Sequence, residues 1–504
     1  MSSPESISIA RVLREAITVG AVRGNALTDG RFRVPYAELE ARLAQWEAFL
    51  AHSGVTRDRP VVLECTTSVP GLLTLLALLR GGTSFALLPP SARAETPPPR
   101  FCSLRLRVHG TSTVEPDGLP RPEHLLEISP IAGAHAPPAG EASAPERLFV
   151  RTSGSLGVPK LVVHTHEGLL GNALNCIERL RLREDDRICV PVPLAHMFGL
   201  GAAVLPALAV GANLDLLEGA SLPRFLEREE RTHPTVTFLT PHLCAMVLRR
   251  RTAPVHYRQA VIAGDRMTPE LFASAQALFQ HIINLYGCTE LGAITAVDPE
   301  AGEEPRATSV GRALPDVRIQ LRPLKDSDEG EGEPPGTAGE LWCHHPFAFQ
   351  GYLDEDGHPW RGEPFVEDGW YRTRDLCLLH EEGTLEVLGR TDLGVKRDGR
   401  LLMLTDIEGA VQRVCGVERA VAVLGSQGLR GRRLIVFCVP REGQSLEPAR
   451  VRATCLDLLP GYALPDEVRL LSTLPLLPSG KVDRQALRAL AMTPPSALQQ
   501  GLRP

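Results

Sequence analysis

The chain has 504 residues, long enough for two or three domains around a large buried core. A hydrophobic fraction of 43%, a charged fraction of 23% and a net charge of -6 fit a globular protein and leave no broad basic field for nucleic acid or an anionic membrane. The 11 cysteines are odd in number and form no CxxC pair, which points to a reduced compartment rather than a disulfide framework.

The opening MSSPESISIARVLREA has early acidic residues and no apolar centre, so it does not read as a secretory signal. Residues 36–50 place Leu39, Leu43, Trp46 and Leu50 on one face of a helix. VVLEC at 61–65 reads as a buried strand, followed by the apolar helix PGLLTLLALLRGG and the strand SFALLP. This strand–helix–strand order predicts a parallel α/β sheet. Residues 91–147, rich in Pro, Ala and Gly, are expected to be irregular and to run over the surface.

Alternation resumes with RLFVRTSGS, a strand entering a Gly-rich loop, then RICVPVPL, TVTFLTP, QAVIAG and HIINLYG with helices between. The longest apolar stretch, 197–212, is too short and too interrupted by Gly and Pro to span a bilayer, so the cytoplasm is the expected location. The acidic, breaker-rich 325–340 reads as a loop, and ELWCHH and LLHEEGTLEVLGR predict an antiparallel β region. From about Asp392 the pattern shifts to short β/α units. The expected fold is therefore α/β, with a large domain over 1–391 and a small α+β domain over 392–504.

The loop after LFV, Arg151 to Lys160, reads RTSGSLGVPK. Gly154 and Gly157 remove Cβ atoms, so backbone N–H groups can crowd around an anion. Thr152, Ser153 and Ser155 add hydroxyl donors and Lys160 adds a charge, which is equipment for a polyphosphate. The spacing is not GxxxxGK[ST], and a plain Gly/Ser turn is the alternative reading of this loop taken alone.

Further motifs follow in order. These are NLYGCTE at 284–290, GWYRTRD at 369–375, GRTD at 389–392 with Lys396 and Gly399, and PLLPSGKVDR at 475–484. Together with the loop they resemble the phosphate-loop, YGxTE, GWxxTGD, GRxDxxIKxxG and PxxxxGKxxR motifs of the adenylate-forming superfamily. That superfamily comprises acyl- and aryl-CoA ligases, adenylation domains and luciferases. Weaker matches at Gly264, at 310–312 and 339–341, and over 26–90 extend the resemblance across nearly the whole chain, except 91–147.

The resemblance implies a parallel-sheet N-terminal domain with a β-barrel-like subdomain and a mobile C-terminal domain. It also implies ATP-dependent activation of a small carboxylic acid to an acyl-adenylate, then thioester formation. The cofactors it implies are ATP, Mg²⁺ and coenzyme A, or a carrier-protein phosphopantetheine arm in place of coenzyme A.

Two anions must meet in such a reaction, so the site must neutralise charge and align the attack. By resemblance, Thr152, Ser153, Gly154, Ser155, Gly157 and Lys160 hold the phosphates. Thr289 contacts the α-phosphate, and Glu290 is the Mg²⁺ ligand, a hard carboxylate for a hard ion. Tyr286 stacks on adenine, with Gly287 beside it and Gly264 letting backbone approach the base. Asp375 accepts the ribose hydroxyls, supported by Arg390. Lys481 bridges the substrate carboxylate and the α-phosphate, and Asp392 is the hinge for domain alternation.

His196, Met197, Phe198, Gly292 and Ile294 are expected to form the acyl pocket, with His196 as its gate. The segment around His196 lacks the acidic partner that an α-ammonium group would need, so an aryl or short acyl acid fits better than an amino acid. No separable carrier domain follows Pro504, so a carrier protein is expected to act in trans; coenzyme A is the favoured acceptor.

The chain departs from the family pattern at Leu156, which removes a hydroxyl donor, and at Arg374, where the pattern has glycine. Leu404 and Asp406 likewise replace Pro and Glu. Cys343-His344-His345 and the His164, His166 pair match no common zinc spacing. The competing readings are a stand-alone enzyme that loads a carrier protein and an inactive nucleotide-binding scaffold.

Overall fold

The computed structural model describes residues 8–90, 97–109, 119–152, 160–219, 221–250, 257–300, 307–323, 338–360, 366–397, 400–428, 431–441, 443–475 and 482–492. Ser153, Gly154, Ser155 and Gly157 of the expected phosphate loop, and Lys481, lie outside the described residues.

Two large sheets share one core. In the nine-stranded sheet the strands Ala26–Thr28, Asn213–Leu216, Arg187–Val190, Val236–Leu239, Gln259–Ile262 and His281–Cys288 run parallel. Antiparallel strands close its two edges. The seven-stranded sheet has a parallel centre of Leu104–Val108, Val61–Glu64, Phe85–Leu88 and Arg147–Thr152.

The helix Val69–Arg80 has every residue from Val69 to Leu79 buried, as expected for a helix apolar on all sides. The helix Tyr36–His52 lays Leu39, Leu43, Trp46 and Leu50 into the same core. Trp46 Nε1 donates to Thr74 Oγ1 at 3.0 Å, so the polar atoms of this packed pair are satisfied. Core residues of both sheets, such as Leu27 and Leu63, belong to one buried cluster.

The expectation of an irregular, surface-running 91–147 is corrected. Leu104–Val108 pairs in parallel with Val61–Glu64, and Leu126–Pro130 adds an antiparallel edge. Phe101, Cys102, Leu106, Leu125 and Ala142 are buried. Arg105 and Arg107 sit on this strand because both reach the buried Glu64, at 2.9 and 3.1 Å. An alternation of Leu with Arg therefore forms a stable strand next to that carboxylate.

The antiparallel region forms a five-stranded sheet from Arg318–Arg322, Ala338–His344, Val366–Glu367, Trp370–Leu379 and Leu385–Arg390. This is the form taken by the expected barrel-like part. The smaller C-terminal domain holds the sheet Val417–Gly428, Gly431–Pro440 and Glu467–Leu470. Helices Leu404–Gln412, Pro448–Leu458 and Arg484–Met492 accompany this sheet. Arg484 donates to both oxygens of Glu408 at 2.7 and 2.9 Å, tying the last helix to the first. Arg266 of the large domain meets Asp406 of the small one at 3.2 Å.

Candidate active site

Three sheets deliver the expected residues to one place. The carboxyl ends of adjacent parallel strands in an open α/β sheet form a natural ligand crevice. Gly264 follows the strand Gln259–Ile262, Tyr286 to Cys288 end the next strand with Thr289 and Glu290 in the turn after it, and His196 lies beyond the end of Arg187–Val190. Gly264 is exposed with φ +95°, and the side where a Cβ would stand is nearly open, so backbone is free to meet a planar base. Gly287 is glycine for another reason: a Cβ there would stand 2.1 Å from the Gly292 carbonyl oxygen.

The seven-stranded sheet contributes Thr152 and Lys160, which face each other where the antiparallel strands Arg147–Thr152 and Lys160–Thr165 meet the loop. Lys160 Nζ lies 3.9 Å from Glu290 Oε1. It also sits 3.4 Å above the ring of Tyr352, a cation–π contact. The Tyr352 hydroxyl donates to Glu290 Oε1 at 2.7 Å and lies 3.1 Å from the Tyr371 hydroxyl. Burial lowers the Lys160 pKa, and Glu290 opposes that shift. Burial also raises the phenols of Tyr352 and Tyr371 far above the ordinary range, so both remain donors.

The antiparallel sheet contributes Asp375 and Arg390, which pair across neighbouring strands. Tyr286 donates its hydroxyl to Asp375 Oδ2 at 2.5 Å, and Arg390 Nη1 reaches Oδ1 at 3.3 Å. Burial pushes the Asp375 carboxyl above the usual carboxylate range, while Arg390 and the Tyr286 hydroxyl pull it back. Two sets of contacts result, Lys160 with Glu290 and Asp375 with Tyr286 and Arg390, with Thr289 next to Glu290 in the chain.

Several contributors carry no sequence signal. Tyr352 stands on the short strand Gly351–Leu353, which pairs with Lys160–Thr165. Tyr371 lies within the GWYRTRD motif at a position the family pattern leaves open. His164 Nε2 donates to the Thr289 carbonyl, 2.7 Å away, and burial lowers its pKa, so it holds the motif backbone as a neutral imidazole. His345 does the same for the Ala293 carbonyl at 3.0 Å. These histidines fasten backbone, and no cluster of metal-ligating side chains occurs among the described residues. Glu290 as a lone carboxylate suits Mg²⁺, which takes one or two carboxylates and completes its shell with phosphate oxygens and water.

At the expected acyl pocket, His196 is exposed rather than a core histidine, Met197 is buried, and Phe198 is half-buried with its ring edge on Phe238 at 6.0 Å. Gly292 has φ +70° and packs against the Asn172 amide, while Ile294 lies fully inside the core. Asp392 is exposed in the turn Thr391–Leu393, with its carboxylate 3.6 Å from Arg390. No helix among the described residues is long and apolar enough to cross a membrane.

Residues 105–353 match the model of the AMP-binding enzyme family, and 406–481 match the AMP-binding enzyme C-terminal domain. The chain belongs to the AMP-binding enzymes. This AMP-binding enzyme is 29% identical over 482 residues to an indoleacetate–CoA ligase of Aromatoleum aromaticum, covering 90% of this chain and 92% of the relative. It is 26% identical over 509 residues to a salicylyl-CoA synthase / salicylate adenylyltransferase of a Streptomyces species, covering 92% and 90%. Its fold matches o-succinylbenzoate CoA synthetase from Bacillus subtilis in complex with an acyl-adenylate. That match has TM-score 0.76 at 20% identity and covers 95% of this chain and 97% of the other. It also matches an anthranilate CoA ligase in complex with anthranoyl-AMP, with TM-score 0.75 at 19% identity and 99% of both chains covered.

Proposed function

We propose that this AMP-binding enzyme activates an aryl or short acyl carboxylic acid with ATP and passes the acyl group to the thiol of coenzyme A. In the first step a carboxylate oxygen of the acid attacks the α-phosphorus, and the bond to pyrophosphate breaks. In the second, the thiol sulfur attacks the acyl carbon, AMP leaves, and the thiol proton goes to solvent. The single observation that carries this reading is the pairing of Lys160 with Glu290 and of Asp375 with Tyr286 and Arg390, residues contributed by three sheets.

In this reading Lys160 and the Gly-rich loop hold the phosphates, and Glu290 would hold Mg²⁺, which would supply charge to offset the phosphate oxygens. Asp375 accepts the ribose hydroxyls once Tyr286 turns its hydroxyl away to present its ring to adenine. Thr289 contacts the α-phosphate. Lys481, brought by the C-terminal domain through a hinge at Asp392, offsets the charge shared by the reacting oxygens. His196, Met197 and Phe198 receive the acid. The half-buried Phe198 and the aromatic acids in the names of two relatives support a flat substrate.

The test is acid-dependent ATP–pyrophosphate exchange across a panel of aromatic and short aliphatic acids. Thioester formation is then measured with free coenzyme A and with a phosphopantetheinylated carrier. Exchange with at least one acid, reduced about a hundred-fold or more in Lys481→Ala, is the expected result. Absence of exchange with every acid would refute the activity, and thioester formation only on the carrier would refute the choice of coenzyme A.

A further inference from the structure

One buried amide beside the expected acyl pocket leaves its oxygen poorly paired. Asn172, on the helix His166–Leu180, is 2% exposed. Its Nδ2 donates to the Leu291 carbonyl at 3.3 Å and the Ala293 carbonyl at 3.5 Å, long bonds that tie the helix to the strand Gly292–Ala296. Carbonyls only accept, so these two fix the orientation of the amide and turn Oδ1 away from them. Among the described residues Oδ1 accepts one hydrogen bond, from Cys176 Sγ at 3.9 Å, one helical turn on. A thiol is a weak donor. A side-chain oxygen this deep is ordinarily matched by a strong one.

The surroundings of Oδ1 are the elements expected to receive the acid. A Cβ on Gly292 would stand 2.5 Å from Asn172 Nδ2 and 2.8 Å from Oδ1, so the backbone passes directly against the amide. A Cβ on Gly201 would meet Oδ1 at 3.6 Å and Met197 Cε at 3.0 Å, which gathers the oxygen and the Met197 side chain around one point. Gly201 lies in the π-helical turn Phe198–Val204, a rare geometry found most often at functional sites. Met197 is unbranched and can rotate aside. The oxygen is therefore close to both the Met197 side and the Gly292 side of the expected pocket.

We propose that Asn172 is a specificity-determining residue whose Oδ1 accepts from a hydroxyl or amino substituent of the acid. The preferred substrate then carries a hydrogen-bond donor as well as its carboxylate. The proposal rests on the reading of this protein as an acid-activating enzyme with its acyl pocket at Met197, Phe198 and Gly292.

ATP–pyrophosphate exchange tests it on sets of benzoates and short aliphatic acids that differ in one substituent: hydroxyl, amino, fluoro or methyl. Fluoro and methyl groups bracket a hydroxyl in size but cannot donate. In wild type, kcat/KM for the best donor-bearing acid is expected to exceed that of its fluoro and methyl counterparts about ten-fold or more. Asn172→Leu keeps a similar shape without polar atoms, and Asn172→Ser withdraws the acceptor while adding no bulk. In both, the preference is expected to shrink to within about three-fold, mainly through a higher KM for the donor-bearing acid. Melting temperatures show whether each variant folds, and either folded variant is sufficient for the comparison. A wild-type preference within about two-fold across every set overturns the proposal. Equal losses for all members of a set in the variants overturn it too, as does failure of both variants to fold, because those patterns mark a purely structural role. Absence of exchange with every acid in wild type refutes the acid-activating reading itself, and this inference with it.

Discussion

Removing the Tyr352 hydroxyl isolates one contact in the site. In Tyr352→Phe the ring that lies 3.4 Å below Lys160 Nζ remains, while the 2.7 Å bond to Glu290 Oε1 is lost. A hydrogen bond to a charged group contributes about 1.5–3 kcal/mol, and the lower half of that range applies because water can reach a half-buried carboxylate. Lys160 does not replace the bond, since at 3.9 Å it is beyond hydrogen-bonding distance. A loss of roughly 1.5–2.2 kcal/mol corresponds to about a 10- to 40-fold fall in kcat/KM.

The assay is ATP–pyrophosphate exchange over a range of Mg²⁺ concentrations. Because the bond orients the expected metal ligand, the midpoint for Mg²⁺ should rise along with the fall in rate. Tyr352→Leu also removes the cation–π contact and should lose a further three- to ten-fold, roughly the weight of such a contact. The reasoning fails if Tyr352→Phe keeps exchange within about two-fold of wild type at every Mg²⁺ concentration.

Asp375→Asn should separate stability from function. The folded protein holds the Asp375 proton more tightly than the unfolded chain does. This group therefore contributes stability below the unfolded pKa of about 3.9 and loses it as pH rises through the higher folded value. Asp375→Asn should melt above wild type near neutral pH, converge with it at about pH 4, and bind ATP at least about ten-fold more weakly. A variant that melts lower at neutral pH would contradict the raised carboxyl. Arg484→Met removes the paired bonds to Glu408 and the 3.0 Å bond to the Ala422 carbonyl. It should cost about 1–3 kcal/mol in the C-terminal domain, and should slow exchange because Arg484 tethers the segment that follows Lys481. Unchanged melting and exchange would show that the tether does not matter.

Parallel strands such as Val61–Glu64 and Phe85–Leu88 were legible because each is a short apolar run bounded by breakers, and the helix Val69–Arg80 because its apolar residues leave no polar face. The strand Leu104–Val108 was not. Its sequence, LRLRV, has an arginine at every second position, and the buried Glu64, 41 and 43 residues earlier in sequence, gives both arginines a partner in the sheet. A window moving along the chain registers charge there and reports surface. The Pro- and Ala-rich flanks strengthened the wrong inference, although Phe101 and Ala142 pack beneath them.

The site divides along the same line. Glu290, Asp375 and Lys160 were legible because each sits in a local motif whose glycines and hydroxyl residues mark it. Tyr352 and His164 were invisible, because each acts on a motif residue that is distant in sequence. Tyr352 lies 62 residues after Glu290, and His164 lies 125 residues before Thr289. Their contribution exists only once the edge strand Gly351–Leu353 has paired with Lys160–Thr165 and brought its tyrosine to the end of the neighbouring sheet. Phe349 makes the dependence explicit. Its N–H donates to the Glu290 carbonyl at 2.9 Å, while its ring packs edge-on against both Tyr352 and Tyr371. One backbone bond and two ring contacts thus couple the position of the carboxylate to all three sheets. Damage to any of those pairings should reach Glu290 even when every motif residue is intact.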